Sequence, residues 1–157
     1  MLNGFRMLGK LGGEWLESES DYRRDIEDIM SHGVRDKPDV NVVATRDDKG
    51  VSVLVWHYHD DDETGPAAEI SLSIEGWGNR PASLKHFRMD EEHSNSFRIW
   101  NEMGKPQDIR GADYARLEAS GKLAEIDNEA SVSVKDGKID LKFSLPRQGV
   151  SLLRLDW

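Results

Sequence analysis

Residues 51–62, VSVLVWHYHDDD, constrain the fold more tightly than any other stretch of the chain. In an extended backbone, Val51, Val53, Val55, His57 and His59 fall on one face, and Ser52, Leu54, Trp56 and Tyr58 on the other. Both faces are mostly apolar or aromatic, so both must be covered, and the segment reads as a central strand rather than an edge. Its β-branched and aromatic residues suit a strand. The acidic residues 60–63 then drive the chain into water, and Gly65-Pro66 turns it.

The rest of the chain is built to surround such a strand. A length of 157 residues suits one domain. A domain of this size buries roughly two-thirds of its unfolded surface. Net charge is −9, which argues against nucleic acid and against an anionic membrane as partners, since both need a basic face. There is no cysteine, so no disulfide framework and no thiolate chemistry. No apolar run reaches the roughly 18 residues that span a bilayer, and the first residues lack the apolar core of a signal peptide. The expected location is bacterial, cytoplasmic or periplasmic, rather than membrane-bound.

Near the start, Leu2, Phe5, Leu8 and Leu11 recur at a spacing of three, one face of a helix that Gly12-Gly13 ends. No capping residue precedes Leu2. Residues 1–13 therefore read as the tail of a helix whose partner belongs to a longer protein. Residues 14–39 are charged and aperiodic, apart from one turn over Ile26, Ile29 and Met30, and read as a surface linker. From residue 40 the period becomes two. Val40, Val42 and Ala44 alternate into a turn at 47–50; Ile70, Leu72 and Ile74 alternate cleanly; residues 84–89 are less regular. Val132 and Val134 lead to Lys135-Asp136-Gly137-Lys138, a strong hairpin signal, and then Ile139, Leu141, Phe143 and Leu145 alternate. The parity switch at Leu152-Leu153 predicts a β-bulge in the last strand.

Residues 91–121 interrupt the strands. Ser94 or Asn95 caps a short helix with Phe97, Trp100 and Met103 as anchors, ending near Gly104 and Pro106, and residues 113–120 form another turn or two. The predicted class is all-β: an antiparallel β-sandwich of about seven strands over residues 40–157, jelly-roll or immunoglobulin-like, with a short-helix insertion and a short N-terminal helix.

Three separated segments, VSVLVWHYHDDD, MDEEHSNSF at 89–97 and LPRQGVSLLRLDW at the end, together resemble the C-terminal part of glycoside hydrolase family 39, the β-xylosidases. NGFRMLGKLGGE resembles the last helix of that family's barrel as it leaves for an accessory domain. The resemblance runs nearly end to end. It implies a (β/α)8 barrel followed by a β-sandwich, and retaining hydrolysis of xylosides by two barrel glutamates that have no matching position in this sequence. The chain itself then carries no catalytic residue and no metal or other cofactor. Its partner is the barrel of a parent enzyme acting on xylo-oligosaccharide. The rival is an independent carbohydrate-binding module for xylan.

Each candidate group has a plainer reading beside the functional one. Glu91 and Glu92 are adjacent and point to opposite faces of an extended segment, unlike the paired carboxyls of a retaining glycosidase about 5 Å apart. Residues 60–63 read first as solvated charge. His57 and His59 share a face beside Asp60, a spacing that can hold a metal if His86, His93 or an acid joins them; hydrogen bonding inside the sandwich is the plainer reading. Sugar modules stack pyranose rings on exposed aromatics, and among Trp15, Trp56, Trp77, Trp100 and Trp157 the best placed is Trp77, whose flanking Gly76 and Gly78 let it stand clear of the sheet; core packing is the plainer reading. The pocket-rim or sugar-facing candidates are thus His57, His59, Trp77, Glu92, His93 and Asn95, with the insertion as the part expected to touch function.

Overall fold

The computed structural model describes residues 2–61 and 63–157, with 127–131 described in their backbone alone. Met1 and Asp62, which belong to the first helix and the acidic tip in the sequence reading, lie outside the described residues.

The chain order is α1 (Leu2–Leu8), β1 (Glu14–Leu16), α2 (Ile26–His32), β2 (Asp39–Arg46), β3 (Gly50–Tyr58), β4 (Ala68–Ile74), β5 (Ala82–Met89), α3 (Ser96–Glu102), α4 (Gly111–Ser120), β6 (Ala124–Val132), β7 (Ile139–Leu145) and β8 (Val150–Asp156). Six strands form one sheet in the order β1-β2-β3-β8-β5-β6, and β4-β7 form a second, two-stranded sheet. Neighbouring strands are antiparallel throughout. The result is a lopsided β-sandwich, as the alternation predicts.

As residues 51–62 predict, β3 is central, paired with β2 on one side and β8 on the other. Its two faces have different covers. Val51, Val53 and Val55 meet Leu153, Leu155, Ile139 and Leu145 between the sheets. Burying each such side chain contributes about 1.5–3 kcal/mol. On the opposite, outer face, Leu54 and Leu152 pack with Met7 of α1. A polar staple fixes the same face: Arg154 donates to both carboxylate oxygens of Asp47 (3.0 and 2.8 Å), to Asp156 Oδ1 (2.7 Å) and to Ser52 Oγ (3.1 Å). Ser52 Oγ donates in turn to the Lys10 carbonyl just beyond α1 (2.9 Å). The Arg154 fork, helped by the N–H groups of Lys49 and Gly50, holds the Asp47 carboxyl down at about 2.

Several expectations need correction. Residues 14–39 are not simply a linker. Residues 14–16 extend the large sheet by an edge strand, and 26–32 form a full helix. Asp25 caps it by accepting from the Glu27 N–H (2.8 Å). The segment between them is tied to β2 through Ser20 Oγ to the Val40 carbonyl (2.6 Å) and the Arg24 N–H to Asp39 (2.9 Å). The predicted bulge in β8 is absent: its register is continuous with both β3 and β5. Because β8 is central, Leu153 and Leu155 serve the inner core while Leu152 serves the outer one, and no parity correction is needed. The irregularity sits in the β5–β6 pairing instead, whose register shifts around His86. The Asp136-Gly137 turn forms with both residues at positive φ (51° and 73°) and one bridge, Lys135 to Lys138. Its arms then part, β6 to the large sheet and β7 to the small one. The acidic tip is also less free than its charge suggests. Asp60 Oδ2 accepts from the Val34 N–H (2.8 Å) and Asp61 pairs with Arg147.

Candidate functional site

The outer face of the large sheet is where burial stops short. α1 lays Asn3 and Met7, four residues apart and so on one side of the helix, against the sheet; Met7 is fully buried. Its other side carries Leu2, Phe5 and Leu8 into solvent, with Phe5 66% exposed. Beyond the helix the same sheet face continues through Trp56 and Tyr58, which share the parity of Leu54, and through Trp15, whose register partner Thr45 lies opposite to the inward Ala44. Trp15 and Tyr58 are exposed. Trp56 is half-buried, its indole N–H held by Asp39 Oδ2 (2.8 Å), and with Tyr58, Gln148 and Val150 it borders a shallow groove of about 260 Å³.

α1 also holds the root of the insertion. Asn3 Nδ2 donates to the carbonyls of Ser94 (2.8 Å) and Gly121 (3.1 Å), one at each end of it. Arg6 Nη1 reaches Asn3 Oδ1 (2.8 Å) and the same Gly121 carbonyl (3.0 Å). Ser94 Oγ closes the neck, donating to the Arg88 carbonyl (2.6 Å) and accepting from the Ala124 N–H (2.8 Å). Outward from this neck α3 and α4 pack on each other. Arg98 and Arg116 both pair with Glu102 (3.0 and 3.2 Å). Phe97, 64% exposed, is not the anchor that its helical spacing suggests. It stands beside Trp100, ring centroids 5.7 Å apart, and with Tyr114 and Leu117 of α4 the two rings border an open hollow of about 450 Å³. The Trp100 indole N–H is satisfied by the Pro106 carbonyl (3.0 Å).

The six residues singled out from the sequence do not converge. His57 and His59 are buried. His57 follows the inward valines, and its Nδ1 lies 3.1 Å from the Leu145 carbonyl. His59 Nδ1 lies 3.4 Å from Asp61 Oδ2, at ion-pair distance. His86, considered as a third ligand, is buried against Ser151 Oγ (2.9 Å) and the Phe143 ring. Among the described residues no group of three His, Cys, Asp or Glu has the geometry to hold a metal ion. Trp77 is the clearest correction: it is 6% exposed. Gly76 and Gly78 do take positive φ (73° and 78°), but they fold the ring inward, where it meets Trp157 edge-on at 5.2 Å and donates to the Arg80 carbonyl (3.2 Å). Glu92, His93 and Asn95 do lie together at the start of the insertion, where their contacts build the loop. Asp90 Oδ1 accepts from the Glu92 and His93 N–H groups (2.9 and 2.7 Å) and lies 2.8 Å from His93 Nδ1. Asn95 caps α3 by accepting from the Arg98 N–H (3.3 Å).

Sequence reasoning missed Asn3 and Met7, whose face of α1 is less apolar than the exposed one, and Tyr114 on α4. Only the four-residue spacing of Asn3 and Met7 could have signalled the buried side.

No family model matches the sequence. Solved structures do share its fold. The GH39 enzyme from Xanthomonas axonopodis pv. citri matches 97% of this chain with a TM-score of 0.74 at 16% identity. A bacterial orthologue of human α-L-iduronidase matches 99% with a TM-score of 0.78 at 19% identity, and a monomeric β-xylosidase from Caulobacter crescentus CB15 matches 97% with a TM-score of 0.68 at 16% identity. The chain spans only 29%, 26% and 29% of those three proteins. The segments that resemble family 39 in sequence thus lie in a chain whose fold is that of a segment, between a quarter and a third of the length, of glycoside hydrolases of family 39.

Proposed function

We propose that this chain is a non-catalytic accessory β-sandwich of a retaining β-xylosidase that hydrolyses xylo-oligosaccharides in a separate (β/α)8 barrel. The observation that carries the reading is the two-sided α1. One side is locked to the sheet by Met7 and Asn3, while Leu2, Phe5 and Leu8 form a bare apolar stripe. Stripes of that kind on small domains mark contact with another domain or chain. A barrel needs about 250 residues, and this chain's elements are accounted for by the sandwich and its insertion. The short span of the matched glycosidases supports the same division of labour.

Docking through α1 would do more than brace. Because Asn3 grips both ends of the insertion, seating α1 on a barrel fixes where Phe97, Trp100 and Tyr114 stand relative to it. In this reading the insertion trims the pocket entrance and offers xylo-oligosaccharide an aromatic edge.

One observation favours the second reading, a xylan-binding module: the hollow between α3 and α4 presents aromatic rings from two walls, and sugars stack on such rings. The same isolated chain separates the readings. It is assayed on an aryl β-xyloside and titrated with xylotriose while amide NMR shifts are followed. The accessory reading expects no turnover and no saturating shifts up to high sugar. Saturating shifts around Phe97, Trp100 and Tyr114 at millimolar xylotriose would transfer the role to the module reading. Turnover would overturn both.

A further inference from the structure

The chain as a whole is acidic, yet three cations crowd one groove. Arg6, Lys10 and Lys122 line a hollow of about 530 Å³ between the end of α1 and β5, over a floor of Phe87 and Leu123. Lys10 Nζ lies 4.9 Å from the centroid of the Phe87 ring. None of the three makes an ion pair among the described residues, and Glu125, in register with Phe87 on β6, pairs with none of them. Uncompensated like charges at close range repel, and a negative group drawn in from outside relieves that repulsion.

Each of the three residues is held at one point, Arg6 by its guanidinium and the two lysines by their backbone. Arg6 is held by Asn3 Oδ1 and the Gly121 carbonyl (2.8 and 3.0 Å). The Lys10 carbonyl is held by Ser52 Oγ (2.9 Å), itself stapled by Arg154. The Lys122 N–H closes on the Ala119 carbonyl (3.2 Å). Cations held in place by such contacts cost less to order on binding than mobile ones. The floor adds a second requirement. Phe87 and Leu123 are half-buried and apolar, so a small anion such as sulfate would satisfy the charges and leave the floor wet. A peptide of aspartates and glutamates alone offers carboxylates but no flat apolar face. A uronate has both: a carboxylate on one edge and a C–H face that lies on an aromatic ring.

We propose that this groove binds an acidic saccharide, with the carboxylate of a uronate ring between Lys10, Lys122 and Arg6 and its C–H face on Phe87 and Leu123. The proposal rests on the reading of the chain as a glycosidase domain, and it adds a charged-sugar site on the sandwich itself.

The test uses the whole chain and two probes that differ by one group: xylotriose, and xylotriose carrying a single glucuronate. Amide shifts at Gly9, Lys10, Phe87, Lys122 and Leu123 should saturate with the glucuronate probe alone, with a Kd on the order of 1 mM. Binding should weaken several-fold as sodium chloride rises from about 20 to about 300 mM, because exposed charges are screened. The double variant Lys10→Ser/Lys122→Ser, whose altered side chains are exposed, should keep the rest of the spectrum and lose those shifts. A silent spectrum with the glucuronate probe overturns the proposal. Equal shifts with neutral xylotriose overturn it too, as do equal shifts with sodium sulfate or an aspartate-rich peptide, which would mean a nonspecific basic patch. The docking role of α1 is read separately, from association through Leu2, Phe5 and Leu8, so either idea can fail alone.

Discussion

The two faces of the six-stranded sheet are built from the same strands and have opposite completeness. The inner face is closed: Val51, Val53, Leu153 and Leu155 meet Ile139 and Leu145 of the small sheet with almost no residual exposure. The outer face is closed where Met7 sits on Leu54 and Leu152 and where Lys10 and Arg154 meet Ser52. From there it opens onto Trp15, Tyr58 and the outward stripe of α1. The inner face explains why the chain folds. The outer face, apolar but unfinished, is the side on which the proposed docking rests. In one strand, β3, the two roles alternate residue by residue.

The sharpest way to stress the closed side is at Trp77. Trp77→Ala should lower the unfolding free energy by about 3–5 kcal/mol in denaturant titration, and a change near zero would return this ring to the surface. Next come paired truncations on either side of the sheet. Leu153→Ala should cost about 2–5 kcal/mol globally. Met7→Ala should cost about 2 kcal/mol, and hydrogen exchange should show that loss as local opening of residues 2–8 and of the insertion that Asn3 holds. Uniform loss from both variants would mean that α1 is part of the core after all.

A smaller effect tests the staple beneath α1. The Asp47 carboxyl is held near 2, against an ordinary 3.8, chiefly by Arg154. A depressed carboxylate contributes stability that is fully present above its unfolded pKa and is lost as pH falls through its folded one. The contribution therefore stands above about pH 4 and fades toward pH 2. With the side chain about a third exposed to screening water, it amounts to about 1 kcal/mol. Asp47→Asn should remove that amount at neutral pH and flatten the acid limb between pH 4 and 2; an unchanged limb would place the acid sensitivity elsewhere. Smallest of all, Phe5→Ser and Phe97→Ser should each shift the stability of the isolated chain by less than about 0.5 kcal/mol, because both rings are mostly exposed. A loss of more than about 1 kcal/mol by the same titration would show that the outer face is already finished.

The closed side of the molecule was the legible one in sequence. Period-two alternation in β3, β4 and β7 gives strand, face and burial together, and the Asn95 cap and Asp136-Gly137 turn announce themselves by residue type. The failures share a physical cause: local pattern does not say what lies across from it. The Leu152-Leu153 parity switch looks like a bulge until both faces of β8 prove to be covered. The glycines around Trp77 free the backbone without deciding which way it turns. β1 is three residues long, too short for a period, and β6 hides its strand behind alternating acids. Most instructive is α1. Its stronger apolar stripe faces away from the domain, so hydrophobic spacing located the open surface correctly and could not see Asn3 and Met7 beneath it.

The most direct test of the central claim is hydrogen exchange of this chain, alone and mixed with a family 39 catalytic barrel from the same source. If the outer face is the docking surface, amides of residues 2–10 should slow on mixing, those of the insertion neck should follow, and β4 and β7 should be unchanged. Protection on β4 and β7, or none anywhere, would contradict an accessory domain that seats a barrel through α1.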